Sequence, residues 1–190
     1  MKRLAIPFAL AVTAAVALLL WSAREPQVSG PGGFDLLAFF EGTSASEGTI
    51  TTLGLRERAF TARFAGERQG ETLRLEERFV FPEGERLQVW NLRAVPGGFA
   101  GTVETERADG ALAPPASVSG TSDAGGVRLR YDGIAPGGGM RLAFAHHMRL
   151  REDGTVANHV VVSRFALPLA TSSVVFAKDA AALPSAPAER

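Results

Sequence analysis

Arg141-Leu142-Ala143-Phe144-Ala145-His146-His147-Met148-Arg149-Leu150-Arg151 decides the fold. Leu142, Phe144, Met148 and Leu150 alternate with Arg141, Ala143, His147, Arg149 and Arg151. Successive side chains of an extended chain point to opposite faces, so this period of two marks a strand with one face buried and one solvated. The same pattern recurs upstream. Leu73, Leu75, Phe79 and Phe81 alternate with Arg74, Glu76, Arg78 and Val80, and Val127, Leu129 and Tyr131 alternate with Arg128 and Arg130. Half-buried strands of this kind belong to antiparallel sheets.

Turn signals separate these runs at short intervals: Gly66 to Gly70, Glu83-Gly84, Pro96-Gly97-Gly98, Asp109-Gly110, Asp123 to Gly126, Pro136 to Gly139 and Asp153-Gly154. They predict ten strands, at 44–52, 56–66, 71–81, 86–95, 98–106, 115–122, 126–134, 140–151, 155–166 and 169–178. Sequential hairpins make a meander, and closing it into a barrel removes both exposed edges. The expectation is therefore an all-β antiparallel meander barrel, with a two-sheet sandwich as the alternative. Phe34 to Glu41 (FDLLAFFE) is the one helical candidate in this region, short and apolar enough to plug one end.

Outside the barrel segment the composition changes. Met1-Lys2-Arg3 precedes Leu4 to Trp21, eighteen residues without a charge. A positive start followed by an apolar run is the layout of a secretory segment, and its length also reaches the lower limit for crossing a bilayer, about 17–25 residues. Either way the remainder faces away from the cytoplasm, with Lys2 and Arg3 kept inside. Trp21-Ser22-Ala23 puts a bulky Trp where a cleavage site wants a small residue, and Val28-Ser29-Gly30 lies far downstream. An uncleaved inner-membrane anchor is preferred over a cleaved signal releasing the chain into the periplasm. The expected organisation is thus 1–24 signal or anchor, 25–33 a Pro/Gly/Ser-rich linker (EPQVSGPGG), 34–178 the barrel and 179–190 a disordered Ala/Pro tail.

Charge and cysteine content exclude several function classes. Residues 26–190 carry 17 bases and 19 acids, too little positive charge to hold a polyanion, so nucleic acid is not an expected partner. With no Cys there are no disulfides, thiolate metal sites, cysteine nucleophiles or lipidated N-terminal Cys. No Gly-x-Ser-x-Gly elbow occurs, and Pro136-Gly137-Gly138-Gly139 lacks the Lys-Ser/Thr of a phosphate loop. No cofactor and no catalytic residue is assigned.

Three groups of residues resemble a known family: Phe34-Asp35-Leu36 with Phe39-Phe40-Glu41-Gly42; Leu75-Glu76-Glu77-Arg78-Phe79 with Glu83-Gly84-Glu85 and Trp90; and Asn158 with Ser163-Arg164-Phe165. They look like an uncharacterised bacterial envelope family, a domain of unknown function whose members are usually described as lipoproteins. The resemblance spans nearly all of 34–178. It implies a lipocalin-like barrel and no established activity. This chain departs from it in lacking the lipoprotein Cys. His146, His147 and His159 also stand where acidic, aromatic and Arg residues would be expected.

The candidate site lies inside the barrel. If Asp153-Gly154 forms a two-residue turn, Met148 pairs with His159, and His146 and His159 become diagonal neighbours on the apolar face, with His147 outward. Glu77 shares the face of Leu75 and Phe79 and would lie opposite Trp90 across a Glu83-Gly84 turn. Phe60, Phe64, Phe79, Phe81, Trp90, Phe99, Phe144 and Phe165 are expected to point inward among small residues such as Ala62, Gly101 and Ser163. Apolar walls with a few polar groups suit an elongated amphiphile. The leading expectation is a non-enzymatic barrel that binds or presents a fatty acid or lipid, contacted by Glu77, Trp90, His146, Met148 and His159. An enzyme using a His146/His159 acid–base pair, and an accessory protein of an envelope complex with a filled interior, are the alternatives; the sequence names no protein partner.

Overall fold

The computed structural model describes residues 16–17, 20–21, 23–26 and 28–184. Much of the apolar segment Leu4–Trp21, with its anchor or signal expectation, lies outside these residues. Among the described residues no helix is long and apolar enough to cross a membrane. From Gly42 to Ala177 the chain forms ten strands: β1 (Gly42–Thr52), β2 (Arg56–Gln69), β3 (Thr72–Phe81), β4 (Gly84–Val95), β5 (Gly98–Thr105), β6 (Ala116–Asp123), β7 (Gly126–Ile134), β8 (Arg141–Leu150), β9 (Val156–Arg164) and β10 (Leu167–Ala177). Each pairs antiparallel with its sequence neighbour, and β1 pairs with β10 to close the barrel, from Ala45↔Ala177 to Thr52↔Ala170. All ten expected strands are present.

A short helix, α1 (Leu36–Phe40), leads directly into the barrel. Asp35 starts it by accepting from the Ala38 amide at 3.1 Å, which satisfies one of the free N–H groups of the first turn. Leu36, Leu37 and Phe40 are buried, and they close the end where β2 turns into β3. At the opposite end, where β1–β2, β3–β4, β5–β6, β7–β8 and β9–β10 connect, the described residues form no such plug.

Inward residues occupy tiers. Near the capped end Phe40, Phe64 and Phe176 meet at centroid distances of 5.3–5.5 Å. Nearer the open end Phe60, Phe79 and Phe81 cluster at 5.7–5.8 Å. The inward row of β1 is small, Ser44, Ser46 and Gly48, and this leaves room for those rings. A Cβ at Gly48 would come within 3.1 Å of both the Phe60 ring and a Val174 methyl. Gly66 serves α1 in the same way: a Cβ there would sit 1.9 Å from the Phe40 carbonyl oxygen.

Two hairpins differ from expectation, and each moves residues. Between β8 and β9 the loop has three residues, Glu152-Asp153-Gly154, closed by the Arg151 amide on Thr155 O at 2.9 Å, with Gly154 at φ 79°. The register is therefore His147↔His159 and Met148↔Asn158. Since a one-residue slip reverses every side chain of a strand, His159 points outward and Asn158 inward. Between β3 and β4 the turn is Pro82-Glu83, so Gln88 rather than Trp90 stands opposite Glu77. Phe165, expected inside, occupies the β9–β10 turn and is 86% exposed. At the C-terminus, Ala180–Ala182 of the tail form one 3-10 turn capped by Asp179.

The fit of α1 predicts that Gly66→Ala, forced against Phe40 backbone, lowers stability by about 2 kcal/mol or more. Gly139→Ala, where a Cβ meets nothing within 4 Å, changes it little. Urea unfolding of the two variants checks the difference.

Candidate functional site in the barrel interior

The barrel encloses a cavity of about 440 Å³, floored by Leu36 and Phe40 of α1 and reaching to Ala135, Met140 and Leu142 near the open end. Its walls are mostly aromatic and aliphatic. The polar exceptions are Thr52, Arg58 and Ser172, and a belt at mid-height made of Glu77, Gln88, Tyr131, His146 and Asn158.

The belt is held by strand register and by hydrogen bonds. Trp90, diagonal to Glu77 on the same face, donates its Nε1–H to Glu77 Oε2 at 3.0 Å. Gln88 donates to Thr105 Oγ1 at 2.7 Å. Tyr131 stacks between Phe144 at 4.7 Å and His146 at 5.8 Å, and Trp90 meets it edge-on at 5.3 Å. The Asn158 amide Nδ2 lies 3.3 Å from His146 Nδ1. With the amide in this orientation Nδ1 accepts, and the proton of neutral His146 resides on Nε2. That Nε2–H, and Asn158 Oδ1, are both shielded from water and without a protein partner. A shielded donor and a shielded acceptor thus stand together on the wall of an apolar cavity, where unmet hydrogen-bonding groups are costly.

Protonation follows from the same low-dielectric setting. Burial pushes the Glu77 carboxyl up to about 7, against the smaller opposing effect of the Trp90 hydrogen bond. Burial brings His146 down to about 4, so the ring is neutral near pH 7. The ring keeps some accessible surface because it faces the cavity, but Nε2 itself is enclosed. Burial also raises the Tyr131 hydroxyl, helped by the Glu77 charge and opposed by Gln88. Near neutral pH the belt therefore holds one carboxyl balanced between acid and anion and no permanent positive charge.

Of the expected site residues, Glu77, Trp90, His146 and Met148 line the cavity together. His159 does not. The three-residue β8–β9 loop turns it to the outer face beside His147, so no His146/His159 pair is assembled. Asn158, Gln88 and Tyr131 take its place in the belt. For Gln88 and Tyr131 the signal was present, since each falls in step with an inward aliphatic or aromatic row, Leu92 and Leu129. For Asn158 it depended on the length of a loop.

The outer histidines have a separate role. Residues 23–26 and 28–32 run along the outside of β8 and β9, where His147 Nδ1 meets Glu25 Oε2 at 2.7 Å and His159 Nε2 meets Ala23 O at 3.3 Å. Arg149 donates to Pro26 O, and Gly32 exchanges backbone hydrogen bonds with Leu150. Partial burial acts to raise the Glu25 carboxyl, but the His147 hydrogen bond and the charges of His147, Arg149 and His159 together hold it below its ordinary value. The segment is a strap, and the two histidines fasten it. Among the described residues no group of three His, Asp or Glu is placed to hold a metal ion.

The raised carboxyl makes a prediction about pH. Between the ordinary carboxyl value of 4.5 and about 7 the folded protein binds the Glu77 proton more tightly than the unfolded chain does. Stability is therefore greatest at or below the lower value and falls as pH rises through that window, by roughly 3 kcal/mol for this group. Glu77→Gln, which still accepts from Trp90, removes this part of the slope. Urea unfolding at pH 5 and pH 8 measures it, and an unchanged slope in the variant contradicts the assignment.

Comparison with known proteins places the chain without naming an activity. No curated protein matches it. The family described as "Protein of unknown function (DUF3833)" matches residues 21–178, which takes in the strap, α1 and all ten strands. The chain belongs to this family of proteins of unknown function.

Proposed function

We propose that the protein is a lipocalin-like carrier that faces the periplasm, is tethered to the inner membrane by its N-terminal apolar segment, and binds or presents a fatty acid or lipid chain. The observation that carries this reading is the pairing of an apolar cavity of about 440 Å³ with the unpartnered His146 Nε2–H and Asn158 Oδ1 on its wall. The volume falls within the range of small-molecule sites, roughly 300–1,000 Å³. A filled accessory barrel has no need of such space.

The chemistry of the occupant follows from the walls. Each methylene moved from water into an apolar pocket gains about 0.8 kcal/mol, so a chain of roughly ten methylenes offsets the cost of being ordered and still binds usefully. Its polar end would meet Glu77, and would reach His146 Nε2–H and Asn158 Oδ1 once a side-chain shift uncovers these enclosed atoms. A carboxylic acid, an ester with a neighbouring hydroxyl, or an alcohol suits these groups. Because Glu77 is an anion above about pH 7, a carboxylate-headed ligand binds more weakly there. Uptake tightens as pH falls from 8 toward 6 and Glu77 gains its proton.

Titration of the purified full-length chain with a fluorescent long-chain fatty acid tests the proposal. Saturable binding is expected. Val160→Phe, which projects a larger ring into the cavity, weakens it about tenfold or more, and Glu77→Gln flattens its dependence on pH. His159→Gln, on the outer face, leaves it unaltered. Binding that survives Val160→Phe at full strength, or no binding at all, sinks the proposal.

A further inference from the structure

We propose that one lip of the open end docks on an anionic lipid bilayer. This goes beyond the cavity reading, and concerns where the barrel opens rather than what it holds.

Nearly all the large exposed apolar side chains of the barrel lie at this end. Leu53 and Leu55 are in the β1–β2 loop, Met140 is in the β7–β8 loop, and Phe165 and Leu167 form the β9–β10 turn. Leu55 is 80% and Phe165 86% exposed. These three connections are neighbours around the rim, because β10 lies between β1 and β9 and β8 adjoins β9. They also touch. The Leu53 amide donates to Leu169 O at 2.8 Å, and Arg164 Nη1 lies 2.9 Å from Met140 Sδ. The result is a continuous apolar lip, not scattered residues.

Its backbone departs from what folding alone would choose. Phe165 and Ala166 are the two central residues of a tight hairpin turn with φ of 51° and 63°, and Leu53 has φ 51°. Such turns normally carry Asn and Gly. A bulky side chain in the left-handed region is an uncommon and strained choice. None of these side chains is repaid by burial within the barrel. A contact outside the barrel accounts for their presence.

Charge identifies the partner. The same lip carries Arg56, Arg58, Arg141 and Arg164, against the single acid Glu57. Arg58 is paired with Glu83 of the adjoining β3–β4 turn, but among the described residues Arg56, Arg141 and Arg164 have no carboxylate within ion-pair distance. The other acids of the rim, Glu83, Glu85, Glu106 and Asp109, belong to the adjoining β3–β4 and β5–β6 connections, where Glu83 meets Arg58 and the Glu106 carbonyl accepts from Gly137 of the β7–β8 loop. Apolar tips backed by arginines match the acyl and headgroup layers of an anionic bilayer. The strap agrees with this orientation. Followed back from Gly32 beside Leu150 to Glu25 beside His147, it climbs from the capped end toward the open one.

The absence of native cysteine gives a clean test in the full chain. Ala166→Cys at the lip and Gln69→Cys at the capped end are each labelled with an environment-sensitive dye. They are then reconstituted with phosphatidylethanolamine–phosphatidylglycerol vesicles. The dye at position 166 shifts to the blue and is quenched by lipid-borne quenchers, while the dye at position 69 stays in water. Replacing Arg56, Arg141 and Arg164 together by Gln reduces the inserted fraction about tenfold or more, as does Leu55→Ser with Phe165→Ser. Water-like emission from both positions overturns the proposal. So does a blue shift at position 166 without vesicles, which assigns the lip to a second copy of the chain. Fatty-acid uptake from solution needs no vesicle, so failure of the lip and failure of the cavity are told apart.

Discussion

Closure of ten strands into one circumference is the constraint on which the rest depends. An eight-stranded barrel is just wide enough to be filled by its own side chains, and diameter grows with strand number. Pairing of β1 with β10 therefore encloses more space than one row of side chains per strand can occupy. The chain deals with half of that surplus. Helix α1 enters at the capped end, seated against Gly66, and Phe40, Phe64 and Phe176 pack beneath it. The other half stays open as the cavity.

What lines that cavity follows from the low dielectric that closure creates. A carboxyl, an imidazole and an amide placed on strands pointing inward lose water and must find partners among themselves. They do so incompletely. Trp90 serves Glu77 and Asn158 serves His146, but the remaining donor and acceptor have none. Glu77 responds by holding its proton to about pH 7 and His146 by staying neutral. A belt with these properties disfavours a permanent charge beside it.

The fold was legible in the sequence because it rests on local signals. The alternation at Arg141–Arg151 and the turn residues between runs place all ten strands, and Phe34–Glu41 contains the plugging helix. The site was legible in part. Glu77, Trp90, His146 and Met148 belong to it because their facing depends only on parity within a strand. His159 was misplaced because its facing depends on how many residues the β8–β9 loop spends, and Asp153-Gly154 suits a two-residue and a three-residue loop alike. Phe165 was misplaced for a related reason: β9 ends at Arg164, two residues before the expected strand end at 166, and the turn takes 165–166. The strap could not be seen at all. Its contacts join Ala23, Glu25, Pro26 and Gly32 to β8 and β9 across more than a hundred positions, and nothing in a Pro/Gly/Ser-rich stretch announces them.

The central claim is that the interior is a lipid site, and the most direct test is to look for what it holds. The full chain is purified from its own envelope in detergent, exchanged extensively, and extracted with organic solvent for mass spectrometry. The account predicts one class of long-chain amphiphile, near one equivalent per barrel, absent from Val160→Phe purified in parallel. A barrel that yields no such molecule, or one whose lipid content is unaffected by filling the cavity, contradicts it.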